Sequence, residues 1–175
     1  KLAAVGSVVL ILLILTAIFA PLIAPYDPTD PIYTNPLNAP GQKFLMGTDE
    51  LGRDVLSRII FGSRISLFVG LVTVVVGVSL GTVFGSMSGY LGGRLDDIIQ
   101  RIMEAIMAIP FLILAMTMVA MMGASLRNVI IALGIGLTPT VNRVVRGTVL
   151  SAKENLYVEA ARAIGSPGWR ILFLN

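Results

Sequence analysis

The chain has 175 residues, 55% of them hydrophobic and 13% charged, with a net charge of +3. A water-soluble domain carries about 25% charged residues, so this composition cannot clothe a surface facing water and points to a lipid solvent. Cysteine and histidine are both absent, which excludes disulfides, thiolate metal sites, histidine acid–base chemistry and catalytic triads. No basic stretch interleaved with aromatics points to nucleic acid.

Residues 2–23 are almost wholly apolar, with Ser7 and Thr16 as the polar interruptions. At ~1.5 Å per residue a helix of that length reaches about 33 Å, enough for a hydrocarbon core of ~30 Å. A cleaved signal peptide is the rival reading. The run is longer than a signal core of ~7–15 residues, and Pro21 after Ala20 makes a poor cleavage site, so a retained span is favoured. Residues 21–40 hold six of the nine prolines, with Asp27, Asp30, Asn35 and Asn38. Proline removes donors and presets φ, so an extended, solvated loop is expected.

Residues 48–64 read as an amphipathic helix lying in the interface. Thr48 is its candidate cap, Asp49 and Glu50 occupy the first turn, and Leu51, Val55 and Ile59 make one apolar stripe. Asp54 and Arg58 are spaced for an i,i+4 pair. A helix packed on the membrane surface and a gate or docking element on the outer face are both open readings.

A second span covers residues 65–88. Gly77, Gly81, Gly85 and Gly89 recur every four residues on one face of it, a spacing that lets another helix approach backbone to backbone. Substrate passage along that stripe is the alternative. Residues 90–101 form a polar turn with Asp96 and Asp97. No other ligand lies near these acids, so a helix start is preferred to a metal or acid–base site. The third span, 98–122, carries Arg101 and Glu104 near its start, in position to pair, and Pro110 should kink it. Its methionines, among them Met103, Met107, Met116 and Met118, suit soft packing or a pliable pathway lining. The fourth span, 128–145, has Gly134, Gly136 and Pro139 in its middle, which is tolerated where neighbouring protein satisfies the backbone, often near a pathway.

The apolar signal then stops. Residues 151–164 read as a helix ended by Gly165, and Ser166-Pro167 starts a second short helix through Trp169, Arg170 and Ile171. Four spans put this tail on the same side as the N-terminus. That side holds eight Lys and Arg residues against five on the other, which favours a cytoplasmic N-terminus.

The tail motif Glu159-Ala160-Ala161, Arg162-Ala163-Ile164, Gly165 resembles the EAA loop of bacterial ABC importer permeases. Gly47-Thr48-Asp49-Glu50-Leu51-Gly52-Arg53-Asp54-Val55-Leu56-Ser57-Arg58 resembles a stretch of the dipeptide, oligopeptide and nickel permeases, in the C-type partner of each permease pair. Arg64-Ile65-Ser66-Leu67, Gly89-Tyr90-Leu91-Gly92-Gly93 followed by Asp96, and Arg146-Gly147 match that group in order. The resemblance implies an all-α polytopic membrane bundle, a type I (MetI-like) importer transmembrane domain, here with four spans and cytoplasmic coupling helices. Two regions are expected. Residues 1–64 would hold the first span, the extracytoplasmic Pro-rich loop and the interfacial helix, and residues 65–175 the permease domain, truncated before its last spans.

The resemblance further implies a second, B-type permease, two cytoplasmic ATP-binding subunits, an extracytoplasmic substrate-binding protein and the bacterial inner membrane. The chain has no Gly-x-x-x-x-Gly-Lys-Ser/Thr phosphate loop, so ATP should act through partners and no cofactor is expected. Glu159, Ala160, Ala161, Arg162 and Gly165 are then the candidate coupling residues, and Gly77, Gly81, Gly85 and Gly89 the candidate helix-packing residues. No residue is assigned to substrate. Uptake of di- and oligopeptides is the expected function. Import of nickel or another small solute, and a non-transport structural membrane protein, are the alternatives. An intramembrane enzyme lacks paired catalytic groups.

Overall fold

The computed structural model describes residues 2–30 and 36–165. They form seven helices: α1 (Leu2–Ile18), α2 (Ala20–Ile23), α3 (Val55–Leu91), α4 (Gly93–Met107), α5 (Phe111–Met122), α6 (Leu126–Lys153) and α7 (Leu156–Ala163). Among the described residues there is no strand, only an isolated bridge between Thr48 and Asp54. The chain divides into two compact units, Lys1–Gly70 and Leu71–Asn175.

In the first unit, the hydroxyls of Ser7 and Thr16 in α1 donate to the carbonyls of Ala3 and Leu12 one turn back, at 2.9 and 2.8 Å. Their polarity is thus satisfied inside the helix, as an apolar solvent requires. The single helix expected over residues 2–23 is in fact two. It breaks at Phe19 and restarts as α2 with Pro21 in the first turn, where the missing N–H costs no helical bond.

The interfacial helix expected over residues 48–64 does not form as such. Residues 48–54 are a tight loop, and the helix begins at Val55 and continues without a break through the expected second span to Leu91. Gly47 and Gly52 take φ of +75 and +74°, a left-handed backbone that ends any helix started at Thr48. Asp49 organises the loop. Its carboxylate accepts from the N–H groups of Leu51 (2.9 Å) and Arg53 (2.8 Å), and pairs with Arg53 Nε (3.2 Å) and Arg58 Nη1 (2.6 Å). Arg58 therefore pairs with Asp49 and not with Asp54. The buried Asp54 carboxylate is engaged by the Ser57 N–H (2.8 Å) and hydroxyl (2.7 Å), and so caps the start of α3. Ser57 Oγ in turn accepts from the Tyr26 N–H at 3.1 Å, and the Tyr26 ring packs on Phe44 with centroids 5.4 Å apart.

In the second unit, α3 and α6 run parallel in close contact. A Cβ added at Gly77 would lie 2.8 Å from Leu137 Cδ2, at Gly81 2.5 Å from Val141 Cβ, at Gly85 2.8 Å from the Asn142 carbonyl oxygen, and at Gly89 3.0 Å from Val149. Gly134 of α6 returns the contact, with Val76 filling the space where a side chain would stand. The two backbones meet because one row offers hydrogens where the other offers branched side chains.

The segment expected to be one kinked span over residues 98–122 is two helices, α4 and α5, bent by 90°. Pro110 cannot donate to the preceding turn, and the chain leaves helix from Ala108 to Pro110. The expected Arg101–Glu104 pair is not among the ion pairs of the described residues, which are Arg53–Asp49, Arg58–Asp49 and Arg146–Asp96. The fourth apolar helix is longer than residues 128–145. Ser125 caps it by accepting from the Asn128 N–H at 3.2 Å, and α6 passes through the buried Pro139 to Lys153. α3 and α6 are each long and apolar enough to cross a membrane, and α4 with α5 is apolar enough together to be a broken span or a re-entrant loop. The tail helix expected over residues 151–164 is split at Glu154 and Asn155 into the end of α6 and α7. The second short helix expected near Trp169 lies outside the described residues.

Candidate functional site

Because α3 and α6 are parallel, their C-terminal ends lie together, and α4 starts there too. Gly92 and Gly93, at φ +65 and +58°, make the reversal from α3 into α4 that a side chain would strain. This reversal sets Asp96, in the first turn of α4, against the last turns of α3 and α6. Arg146 of α6 grips it at two points, Nε to Oδ1 at 2.7 Å and Nη2 to Oδ2 at 2.5 Å. The buried Ser88 hydroxyl of α3 also donates to Asp96 Oδ1. Gln100, one turn further along α4, donates through Nε2 to Ser88 Oγ at 2.7 Å and to Asn142 Oδ1 at 3.2 Å. Asn142 is completely buried on α6, and its Nδ2 has no hydrogen-bond partner among the described residues. Five polar side chains thus tie three helices at one level. A fork of charge-assisted bonds is the strongest element of such a cluster and fixes both position and orientation.

A second tie lies one to two turns beyond. Lys153, the last residue of α6, donates from Nζ to the carbonyls of Tyr90 (3.0 Å) and Gly89 (3.4 Å). Those are final-turn carbonyls of α3, and a cation there satisfies orphan acceptors and the helix dipole together. Past the break at Glu154 and Asn155, the Val158 side chain of α7 is buried against Tyr90. α7 is therefore held to the end of α3 as well as following from α6. Leu156, Tyr157 and Ala160 remain exposed on it, as does Ile164 just past its end.

Of the candidate residues in the tail, Glu159, Ala160, Ala161 and Arg162 all lie within α7. Gly165 follows at φ +76°, the left-handed backbone of a helix stop. The side chains of Glu159, Ala161 and Arg162 lie outside the described residues. The sequence placed Asp96 at a helix start and matched Asp96 and Arg146 to the family pattern, but gave no role to Ser88, Gln100, Asn142 or Lys153. Two spacings bear on four of these residues. Asp96 and Gln100 are four apart, as are Asn142 and Arg146, so each pair shares one helical face. What the spacing could not supply is that the two faces meet across 50 residues.

In the first unit, the Arg53 N–H donated to Asp49 holds that carboxyl below its ordinary range, with the Arg53 and Arg58 charges adding to the effect. The Thr29 hydroxyl and N–H do the same for Asp27. Among the described residues no group of three acids is placed to hold a metal.

Residues 81–175 match the family described as binding-protein-dependent transport system inner membrane component. The chain belongs to this family. Residues 1–40 of this inner membrane component also match the N-terminal transmembrane domain of oligopeptide transport permease C. Among similar curated proteins is a di/tripeptide transport system permease protein of Pseudomonas aeruginosa, 39% identical over 175 residues, 97% of this chain and 58% of that protein. A dipeptide transport system permease protein of Alkalihalophilus pseudofirmus is 41% identical, over 99% of this chain and 57% of its own length. A glutathione transport system permease protein of Pectobacterium atrosepticum is 40% identical, over 98% of this chain and 57% of its own. The chain thus spans a little over half the length of the curated relatives it matches. It is a multi-pass membrane protein of this transport-system family. Its family region contains most of the glycine row, the Asp96–Arg146 cluster and α7.

Proposed function

We propose that the chain is the permease subunit of an ATP-driven importer that takes up di- and oligopeptides delivered by an extracytoplasmic binding protein. Three of its relatives carry names for dipeptide, di/tripeptide or glutathione transport, and all of these cargoes are short peptides with free termini. A second, B-type permease completes the pathway and two cytoplasmic ATP-binding subunits drive it. The N-terminus and α7 face the cytoplasm of a bacterial inner membrane, on the side richer in Lys and Arg.

Within that assembly, α7 receives force from the ATPases through Glu159, Ala160, Ala161, Arg162 and the Gly165 stop. The observation that carries this reading is the attachment of α7: Val158 is buried on Tyr90, and Lys153 holds the carbonyls of Gly89 and Tyr90. A push on α7 therefore reaches the ends of α3 and α6 directly, and the Asp96–Arg146 fork extends it to α4. The glycine row Gly77, Gly81, Gly85 and Gly89 keeps α3 and α6 moving as one body. A ligand or partner shifts such a transporter only by binding its two states unequally, and nucleotide-driven closure of the ATPases supplies that difference.

The test is reconstitution of the complete transporter in proteoliposomes with its binding protein. Glu159→Lys and Gly165→Asp should leave the permease folded and assembled while ATP hydrolysis no longer drives peptide uptake. Normal uptake in both variants would overturn the coupling assignment.

A further inference from the structure

α4 carries a second polar face that the Asp96 cluster does not use. Asp97, Arg101 and Glu104 succeed one another at helical spacing, all three are exposed, and with Gln100 they line an open cavity of about 510 Å³. Neither Arg101 nor Glu104 makes a side-chain hydrogen bond or ion pair among the described residues, where the ion pairs are those of Asp49 and Asp96. Arg before Glu at three residues is the less favourable order for a helix pair, which leaves both heads open to a third party.

The depth of these charges follows from the packing of α4 on α6. Asp96 lies opposite Arg146 and Gln100 opposite Asn142, while Met103 and Ile106 share an apolar cavity with Ile135 and Thr138. α4 therefore runs antiparallel to α6 and carries Glu104 to the level of Thr138 and Pro139, halfway along the 28-residue α6. Charges at that depth are too costly to face lipid, and such residues mark water-filled routes or protein contacts.

We propose that Arg101 and Glu104 form a binding station for a short zwitterionic peptide within the transport route, the guanidinium taking the terminal carboxylate and the Glu104 carboxylate the terminal ammonium. The assignment rests on the peptide-importer reading above. A peptide with free termini presents one charge of each sign, and the station presents the complementary pair. Three residues of helix separate the two anchors by about 4.5 Å in height. Long side chains splayed from there reach the termini of a di- or tripeptide, about 7–10 Å apart.

The experiment measures peptide uptake by the complete transporter in proteoliposomes, with a saturating binding protein loaded with a free dipeptide. Arg101→Gln and Glu104→Gln should each lower uptake about tenfold, the effect of losing one charge-assisted contact, with the second permease and the ATPases still co-purifying. Arg101→Lys and Glu104→Asp should retain most of the uptake. Uptake within twofold of wild type in both Gln variants would overturn the station. Loss of the second permease from the purified complex would also overturn it, making this face a subunit contact. If the wild-type transporter takes up no peptide, the importer reading itself falls, which the wild-type arm shows without any variant.

Discussion

Arg146 on α6 and Asp96 on α4 are joined by two parallel hydrogen bonds, of 2.7 and 2.5 Å, although 50 residues separate them in the chain. The pair is partly buried, with side-chain exposures of 32 and 15%. Removing one partner strands the other in a poorly solvated place, which is costlier than removing both. Asp96→Asn and Arg146→Met should each lower stability by about 2–3 kcal/mol, and the double variant should lose clearly less than the sum. Thermal unfolding in detergent, run as a double-mutant cycle, measures the coupling. Additive losses would mean the fork contributes nothing beyond its separate side chains.

Glycines of α3 divide into two kinds that a substitution series can separate. A Cβ at Gly85 would stand 2.8 Å from the Asn142 carbonyl oxygen, a backbone atom that cannot swing aside, whereas a Cβ at Gly62 or Gly70 meets nothing within 4 Å. Gly85→Ala should cost about 1–3 kcal/mol by overpacking. Gly62→Ala and Gly70→Ala should be neutral, or stabilising by up to about 1 kcal/mol through helix propensity. Equal effects at Gly85 and Gly70 in the same unfolding assay would dismiss the close approach of α3 and α6.

The loop around Asp49 makes a prediction in pH. Its folded carboxyl is held below the ordinary value of 3.8. The stabilisation it supplies is therefore present in full above the unfolded value and is lost as pH falls through the lower folded value. Hydrogen exchange at the amides of Leu51 and Arg53, which donate to Asp49, should show constant protection from pH 7 to about pH 5 and a loss only in the acid range below 3.8. Asp49→Asn should remove the pH dependence and expose Arg53 to trypsin at neutral pH. Protection unchanged by the substitution would assign the loop to its glycines alone.

The tie between α7 and α3 can be cut without touching the candidate coupling residues. Lys153→Met removes both bonds to the Gly89 and Tyr90 carbonyls, and Val158→Ala removes the contact on Tyr90. Each should cost about 1 kcal/mol, too little to unfold the chain. Together they should uncouple ATP hydrolysis from uptake in the reconstituted transporter by several-fold. Full coupling in the double variant would mean that α7 acts through α6 alone.

Much of the architecture is legible in the sequence, because a lipid solvent leaves few choices. Apolar runs of membrane length must be helices, since a chain there has to satisfy its own backbone. Composition therefore determined an all-helical membrane bundle, and the four-residue glycine row marked one face of α3 for close approach. The motif from Gly47 to Arg58 was visible as a pattern but misread as a helix. Apolar spacing at Leu51, Val55 and Ile59 is a local signal, and it was overridden by two left-handed glycines and by a carboxylate at Asp49 that binds the neighbouring N–H groups. The break between α4 and α5 was foreseen at Pro110, but its 90° size was not, because proline removes a bond without saying which way the chain then turns. Only the tertiary structure decided that α3 and α6 run parallel in contact, and hence that Ser88, Asp96, Gln100, Asn142 and Arg146 meet. Hydrophobicity specifies that a segment enters the bilayer. Which polar side chains share a level depends on helix register across long stretches of chain, and that is set by packing.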